Sequence, residues 1–434
     1  MGITRRKLLR TGVHGGLAAG AFATLAPAAE AGQQPIQQQR PAPSPAFEAL
    51  KPLGDRVRPI TDEERKARIA KAQRLMTEAK PQFAALYLTP GSSMFYYTGL
   101  RWGGGERLFS VVIPRSGEPF LVCPAFEEGR ARELLRWPME VRVWQEEESP
   151  YALVARGIAD RGARTGTIGV EETTRFFFFD GLRQAAPGYQ FASGDPITVG
   201  CRGRKDAHEL ELMTLANEAT VNAIRATFAS LREGLTQREV SGLLSQGFQR
   251  QGLSGGGLVL FGQWAALPHG TTQPQRLAEG QCVLIDCGSS VDGYASDITR
   301  TTVLGKPSDK IRAAFDTVKR AQEAALAAAV RGRTCGSVDD AARKVVADAS
   351  YGSNYELFTH RVGHGIGLDG HEHPYLVRGS KTVLEPGMTF SDEPGIYVRG
   401  EYGMRLEDIM VIEESGPARL LTPGLSPSLE NPCG

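Results

Sequence analysis

The sequence predicts a two-domain α/β protein, with an N-terminal α/β domain and a C-terminal α+β domain that carries the chemistry. Three observations predict it. The 434 residues, 41% of them hydrophobic, suffice for two cores of ordinary size. Short apolar runs alternate with helix-like stretches between residues 59 and 204. From residue 205 onward, a long amphipathic helix opens a half in which capped helices are interspersed with glycine-punctuated strands.

Residues 1–31 stand apart from both domains. Thr4-Arg5-Arg6-Lys7-Leu8-Leu9-Arg10 leads into a weakly apolar run from Gly12 to Leu25, followed by the small-x-small pattern Ala29-Glu30-Ala31. This resembles a bacterial twin-arginine export signal cleaved after Ala31. The run is too short and too glycine-rich to hold the chain in a bilayer, so a periplasmic or secreted protein without stable membrane anchoring is expected. Residues 32–58 open on a Gln/Pro/Ala-rich stretch and are expected to form a flexible linker. The six cysteines form no C-x-x-C pair and are expected to be buried thiols rather than metal or redox groups.

The first domain, residues 59–204, begins with a helix announced by Thr61-Asp-Glu-Glu and continuing through Met76, with its acidic residues at the positive end of the helix dipole. Strands are expected at Ala84–Leu88, Leu108–Ile113, Pro119–Cys123, Val141–Trp144 and Thr167–Val170, with helices at Phe126–Leu135 and Pro150–Arg161. Ile197 to Arg204, which holds Gly200 and Gly203, reads as a short crossover.

The second domain, residues 205–434, starts with a helix near Asp206 whose buried stripe is Leu210, Met213, Leu215, Val221, Ile224, Phe228 and Leu231. Thr236-Gln-Arg-Glu239 is a capping box, and Ser337-Val-Asp-Asp340 announces a further helix ahead of Ala341–Ala349.

The chemistry lies between and after these helices. Cys282-Val-Leu-Ile-Asp286 and Tyr294-Ala-Ser-Asp297-Ile-Thr299 flank Asp292-Gly293, a two-residue hairpin turn that pairs Val291 with Tyr294. In that register Asp286 faces Thr299 and lies diagonal to Asp297, so one cation can touch both carboxylates. A lone aspartate is more often a turn or edge residue, yet Asp286 follows Val-Leu-Ile in a strand where an unpaired carboxylate is costly. Thr299 is expected to hold the carboxylates from behind, with Tyr294 as a weaker candidate for the same task.

His360-Arg-Val-Gly-His364-Gly-Ile-Gly-Leu-Asp-Gly-His371-Glu-His373 is too glycine-rich for a helical pair of metal-binding histidines, and extended chain places His360 and His364 on one face. His373 reads as readily as a loop residue. If Arg399-Gly400-Glu401 closes a hairpin, Glu393 falls opposite Glu407, and two carboxylates that close repel unless a cation lies between them. Arg405 shares a face with Glu407 and can neutralise the site or grip a substrate carboxylate, whereas Asp408 points away. Asp286, Asp297, His364, Glu393 and Glu407 together can hold a pair of divalent ions, with the imidazole favouring Mn, Co, Fe or Zn over Ca.

These motifs resemble the superfamily of methionine aminopeptidase, aminopeptidase P, prolidase and creatinase, whose catalytic domain has the pita-bread fold. The likeness runs from about Asp206 to the C-terminus, and the first domain is similar to the creatinase/prolidase partner domain. The resemblance implies that Asp286, Asp297, His364, Glu393 and Glu407 hold two divalent ions, Mn, Zn or Co. It also implies that His269 in Leu267-Pro268-His269-Gly270, His360, His371 and Arg405 are active-site residues. Tyr97-Thr98-Gly99, His371-Glu-His-Pro-Tyr375 and Glu393-Pro-Gly-Ile-Tyr397 look most like the Xaa-Pro dipeptidases.

The implied reaction is attack of a metal-bridged hydroxide on the Xaa-Pro carbonyl of a proline-containing peptide, by a homodimer that binds no nucleic acid. The scattered basic residues and the formal charge of +1 agree with the last point. An Xaa-Pro aminopeptidase acting on longer peptides shares nearly every motif. A hydrolase or lyase of another small substrate, or a metal-retaining binding protein, stays open beside it.

Overall fold

The computed structural model of the chain describes residues 45–422 and 424–434, so the expected export signal and the start of the linker lie outside the described residues. Among the described residues no helix is long and apolar enough to cross a membrane. The later part of the expected linker is ordered. Helix α1 (Pro45–Glu48) buries Phe47, Leu53 N donates to Gln251 O at 3.1 Å, and Arg56 pairs with Glu218 at 2.6 Å. Phe47 and Leu53 give this stretch a buried apolar face that an average over Gln/Pro-rich composition hides.

Helix α2 (Asp62–Glu78) starts at its capping box, in which Thr61 Oγ1 accepts from Glu64 N at 3.2 Å and Glu64 accepts from Thr61 N at 2.7 Å. Strands β1 (Phe83–Leu88), β2 (Ser110–Pro114), β3 (Phe120–Pro124), β4 (Glu140–Trp144), β5 (Gly166–Val170) and β6 (Tyr189–Ser193) form one mixed sheet in the order β4-β3-β2-β1-β5-β6. Helices α3 (Ser92–Thr98), α4 (Glu128–Leu134), α5 (Pro150–Asp160), α6 (Phe176–Ala185) and α7 (Asp195–Arg202) complete this domain.

Strand β1 reads as an unbroken apolar run because both of its faces are covered. Ile69, Met76, Met94 and Ile197 pack on one side, and Val154, Ile158 and Leu182 on the other.

Helix α7 corrects the expectation of an irregular crossover at residues 197–204. Its glycine is tolerated because the helix docks closely on α2: a Cβ on Gly200 would sit 3.3 Å from Leu75 Cδ1. Tertiary contact overrides propensity here.

The second domain is built from two helix pairs and the sheets they cover. Helix α8 (Ala207–Phe228) is capped by Asp206 and α9 (Gln237–Arg250) by Thr236, each with its reciprocal glutamate. Of the expected stripe, Met213, Leu215, Val221 and Ile224 are buried, while Leu210 and Phe228 are half-buried and Leu231 lies past the helix end. This pair packs on strands β7 (Gly255–Phe261), β8 (Cys282–Val291), β9 (Tyr294–Ala295) and β10 (Ile298–Val303), in which β8 is central and β9 extends its hairpin.

Helices α10 (Asp309–Ala328) and α11 (Cys335–Asp348) pack through Ala321, Ala325, Val338, Ala342 and Val346 on Phe390 and Met410 of a five-stranded sheet. That sheet contains β11 (Gly363–Gly365), β12 (Glu372–Leu376), β13 (Thr389–Asp392), and, after the two-stranded ladder of β14 (Gly395–Val398) and β15 (Tyr402–Arg405), β16 (Asp408–Val411) and β17 (Arg419–Leu420). Helix α11 starts earlier than Ser337 predicts. Thr334 is its cap, accepting from Ser337 N at 3.3 Å, because the buried Cys335 and Val338 bring the preceding residues into the helix.

Candidate metal centre

Two hairpins and one short strand bring the candidate ligands together. In the first hairpin Asp286 pairs with Thr299 and Cys287 with Ile298, which places Asp297 diagonal to Asp286 as the two-residue turn predicts. The turn is Asp292 (φ 46°) and Gly293 (φ 89°), a conformation that favours glycine at the second position. Asp292 Oδ2 accepts from Ile60 N at 2.9 Å, so the hairpin tip is tied to the chain that leads into α2.

His364 lies in β11, where the backbone passes very close to β13: a Cβ on Gly363 would sit 2.0 Å from Ser391 O. Only glycine permits that approach. His364 N donates to Ser391 Oγ at 2.9 Å, and Ser391 Oγ donates to Glu393 Oε1 at 3.2 Å. The ring Nδ1 lies 3.0 Å from Gly365 O, which places the proton there and leaves Nε2 free as a ligand atom, 3.4 Å from Glu393 Oε1 and 3.8 Å from Asp297 Oδ2.

Glu393 and Glu407 stand where one hairpin leaves the five-stranded sheet. Asp392 pairs with Asp408 on one side of them and Gly395 with Arg405 on the other, in one continuous register that sets the two glutamates opposite each other. The turn is at Arg399-Gly400-Glu401, as expected, with Gly400 at φ 79°. Their amides pair elsewhere: Glu393 N donates to Val362 O at 2.8 Å and Glu407 N to Thr299 O at 3.1 Å.

Three overlapping groups have ligand atoms within 4.8 Å of one another: Asp286, Asp297 and Glu407; His364, Glu393 and Glu407; and Asp297, His364 and His371. The donor set and its electrostatics fit divalent metal. Burial first, and then repulsion from Asp286 and Glu393, pushes the Asp297 carboxyl well above its usual range. Burial followed by Asp297 does the same to Glu407. Burial raises Glu393 to about 7 even though Arg405 pulls it down. The protein's own cations do not neutralise this cluster, and carboxylates so arranged call for a cation. Burial, and then His371, lowers His364 to about 3, which keeps its imidazole neutral and able to ligate.

Among the described residues, Arg405 is the guanidinium that hydrogen-bonds to a carboxylate of this cluster. Its Nη2 donates to Asp286 in a short contact, its Nε to Thr299 Oγ1 at 3.0 Å and one Nη1 hydrogen bond to Tyr397 Oη at 3.0 Å. It therefore offsets part of the charge of the carboxylate cage, and its donors are committed to the protein rather than to a substrate carboxylate. Thr299 Oγ1 donates to Glu407 Oε2 at 2.6 Å, so the carboxylate it contacts is a glutamate rather than one of the aspartates.

His360 Nε2 lies 2.7 Å from Tyr397 Oη, and its Nδ1 lies 2.8 Å from Arg361 O and 3.9 Å from Glu393 Oε2. His371 is exposed and stacks on His364, with ring centroids 3.6 Å apart. His269 is exposed just after the 3₁₀ turn Gly262–Ala266, and its charge acts on both His360 and His371. His373 is exposed and leans on Tyr375.

Tyr294 departs from expectation. Its hydroxyl donates to Glu209 of α8 at 2.8 Å and it packs among Leu212, Met213 and Ile409, because strand alternation turns it away from the aspartates. Two residues given no role in the sequence, Ser391 and Tyr397, belong to the site. Tyr397 shares the face of Glu393 by strand period, which was a usable signal, whereas the Ser391 contact depends on the close approach at Gly363.

Residues 68–203 match the creatinase/prolidase N-terminal domain, and residues 211–414 match metallopeptidase family M24. The chain is 34% identical over 338 residues to an Xaa-Pro dipeptidase of Lactobacillus delbrueckii subsp. lactis, covering 76% of this chain and 90% of that protein. Its structure is similar to that of dipeptidase PepE from Mycobacterium ulcerans, with a TM-score of 0.77 and 33% identity over 84% of this chain and 97% of the other. It is also similar to a prolidase from Thermococcus sibiricus, with a TM-score of 0.73 and 30% identity over 82% of this chain and 96% of the other.

Proposed function

The chain belongs to metallopeptidase family M24, with a creatinase/prolidase-type N-terminal domain, and from this premise we propose that it is an Xaa-Pro dipeptidase. The observation that carries this reading is the convergence of four carboxylates and one neutral, buried imidazole from three separate segments within 4.8 Å in overlapping groups.

Asp286, Asp297, His364, Glu393 and Glu407 would hold two divalent ions, with Mn, Co and Zn the candidates by donor type. Such ions, when bound, supply Lewis-acid polarisation of the scissile carbonyl and acidify a water.

The chain's own residues supply the rest. Glu393, whose Oε1 lies 3.4 Å from His364 Nε2 at the heart of the cluster, would take a proton from the attacking water and deliver it to the prolyl nitrogen as the C–N bond breaks. Since the proline amide nitrogen has no N–H, the site cannot depend on that donor to hold the substrate. His371, exposed above His364, donates to the oxyanion that develops on the carbonyl. His269, His360 and Tyr397 form the wall that receives the proline end of the dipeptide.

The N-terminal pattern of residues 1–31 supports a periplasmic or secreted location reached by twin-arginine export, and the family resemblance supports a homodimer. Turnover of Xaa-Pro against Xaa-Pro-Yaa peptides, with the protein reconstituted in Mn, Co or Zn, tests the reading. Preference for the dipeptide supports it, and preference for the tripeptide makes the chain an aminopeptidase instead.

A further inference from the structure

His371 has no hydrogen-bond partner among the described residues; the chain on either side of it decides where its ring stands. Both flanking acids are gripped by one arginine, with Arg202 Nη2 lying 2.6 Å from Asp369 Oδ2 and 2.7 Å from Glu372 Oε2. The second oxygen of Glu372 is held by Lys205 Nζ, and the second oxygen of Asp369 accepts from the Ser92 hydroxyl, both in short contacts. Arg202 Nη1 in turn donates to Ser93 Oγ at 3.0 Å.

Arg202 ends α7, Ser92 and Ser93 open α3, and Lys205 lies in the short link between α7 and α8, so every donor comes from the N-terminal domain or from the chain that leaves it. The Arg202, Lys205 and Glu372 side chains are only 13%, 2% and 9% exposed, so water screens the Glu372 half of the cluster little, while Asp369 is 45% exposed. The chain also passes tightly around it: a Cβ on Gly367 would sit 2.7 Å from both Glu372 Oε1 and Lys205 Cε. A cavity of about 540 Å³ opens between this cluster and α3, and His371 and Arg202 both line it.

We propose that Arg202, assisted by Lys205, is a positioning residue through which the N-terminal domain sets His371 over His364 for the reaction. The cluster fixes the loop on both sides of an otherwise untethered imidazole, and a displacement of an ångström in a reacting group is enough to slow catalysis strongly. The first domain is then a working part of its own chain's active site. This inference rests on the dipeptidase reading for its kinetic consequence.

The test uses the full chain. Arg202→Met lowers kcat on a proline dipeptide about 10- to 100-fold with little change in KM. On a His371→Ala background the same substitution changes kcat by less than about twofold, because its effect runs through His371. In the metal-free protein, the His371 Cε1–H resonance, assigned by its loss in His371→Ala, moves in Arg202→Met toward the position of an unstacked imidazole. Equal losses in both backgrounds, or a His371 resonance that stays in place, overturn the proposal. Arg202→Lys keeps the charge but cannot bridge both acids, and takes the same measurements if the methionine variant does not fold. The resonance needs no turnover, so it fails or succeeds independently of the wild-type hydrolysis that tests the dipeptidase reading.

Discussion

Thr299 donates its hydroxyl to Glu407 at 2.6 Å while receiving Arg405 Nε at 3.0 Å, so one small side chain fixes a carboxylate and the guanidinium that neutralises its neighbours. Thr299→Val keeps the shape and removes both contacts. Metal affinity measured by titration calorimetry is expected to fall about 10- to 100-fold, the usual cost of losing a partner behind a ligand. Unchanged affinity would show that the hydroxyl does not orient Glu407.

Removing a ligand has a larger effect. Asp297→Ala and Glu407→Ala are each expected to lose bound metal, by elemental analysis, together with hydrolysis. A variant that keeps both would sink the ligand assignment.

Metal also bears on stability, because Asp297, Glu393 and Glu407 are buried beside one another. A cation that binds only the folded state adds about 2.7 kcal/mol at a free concentration 100 times its Kd. Scanning calorimetry with and without chelator should show Tm rising with metal in the wild type and not in Glu407→Ala.

Arg300 is fully buried, with Nη1 donating to Glu407 O at 2.7 Å and Nη2 to Asp408 Oδ1 at 2.6 Å. Arg300→Met leaves the buried Asp408 charge with only the neutral donors Thr422 and Gln322, and removes the guanidinium from the Glu407 carbonyl. A loss of about 3–5 kcal/mol in urea denaturation is expected, as for other broken buried pairs. A loss below about 1 kcal/mol, the scale of a surface pair, would contradict it.

His208 offers a pH effect far from the metal. Its Nδ1 lies 2.7 Å from Glu64 Oε1 and its Nε2 2.8 Å from Arg58 O, so both ring nitrogens face acceptors and the imidazolium is the form that fits. Burial opposes the charge, but the hydrogen bonds to Glu64 and Arg58 O and the nearby carboxylates together outweigh it and raise His208 above its ordinary 6.5. Burial likewise opposes the Glu64 charge, while hydrogen bonds from Thr61 and His208 take that carboxyl down from 4.5 to about 2.

The His208 contribution is therefore complete below 6.5 and lost as pH rises through the raised value; that of Glu64 is present above 4.5 and lost as pH falls toward about 2. The pair is partly exposed, so its size is on the order of 1 kcal/mol or less. The Tm difference between wild type and His208→Asn should be greatest between these limits and shrink on both sides; a flat difference would contradict the linkage.

Features of the sequence with a local cause were legible in it. The helix start at Thr61, the Thr236 capping box, the apolar strands from Ala84 to Val170 and the two hairpin registers all follow from residues within a few positions of one another. For that reason the diagonal of Asp286 with Asp297 and the opposition of Glu393 to Glu407 could be read in advance. Contacts decided by distant chain were hidden. Gly200 and Gly203 spoke for irregular backbone until Leu75 gave α7 a surface to dock on, and Phe47 spoke for nothing until the second domain covered it. Tyr294 carried no sign that its partner was Glu209, 85 residues away. Helix α10, long and without a capping box, was not anticipated at all. The grip of Arg202 on the loop of His371 joins positions about 170 residues apart and has no local signature.

The seam between the two ladders, where Glu393 and Glu407 stand, ties the cage to the last part of the chain to be synthesised. The Thr299–Glu407 hydrogen bond closes a separation of 108 residues, and such long closures come late. Until the last hairpin docks, Asp286, Asp297 and His364 lack the two glutamates that complete the cage. A nascent chain arrested before Glu393 thus offers an ion only three of the five candidate ligands, and the rest of its seat arrives with the last hairpin.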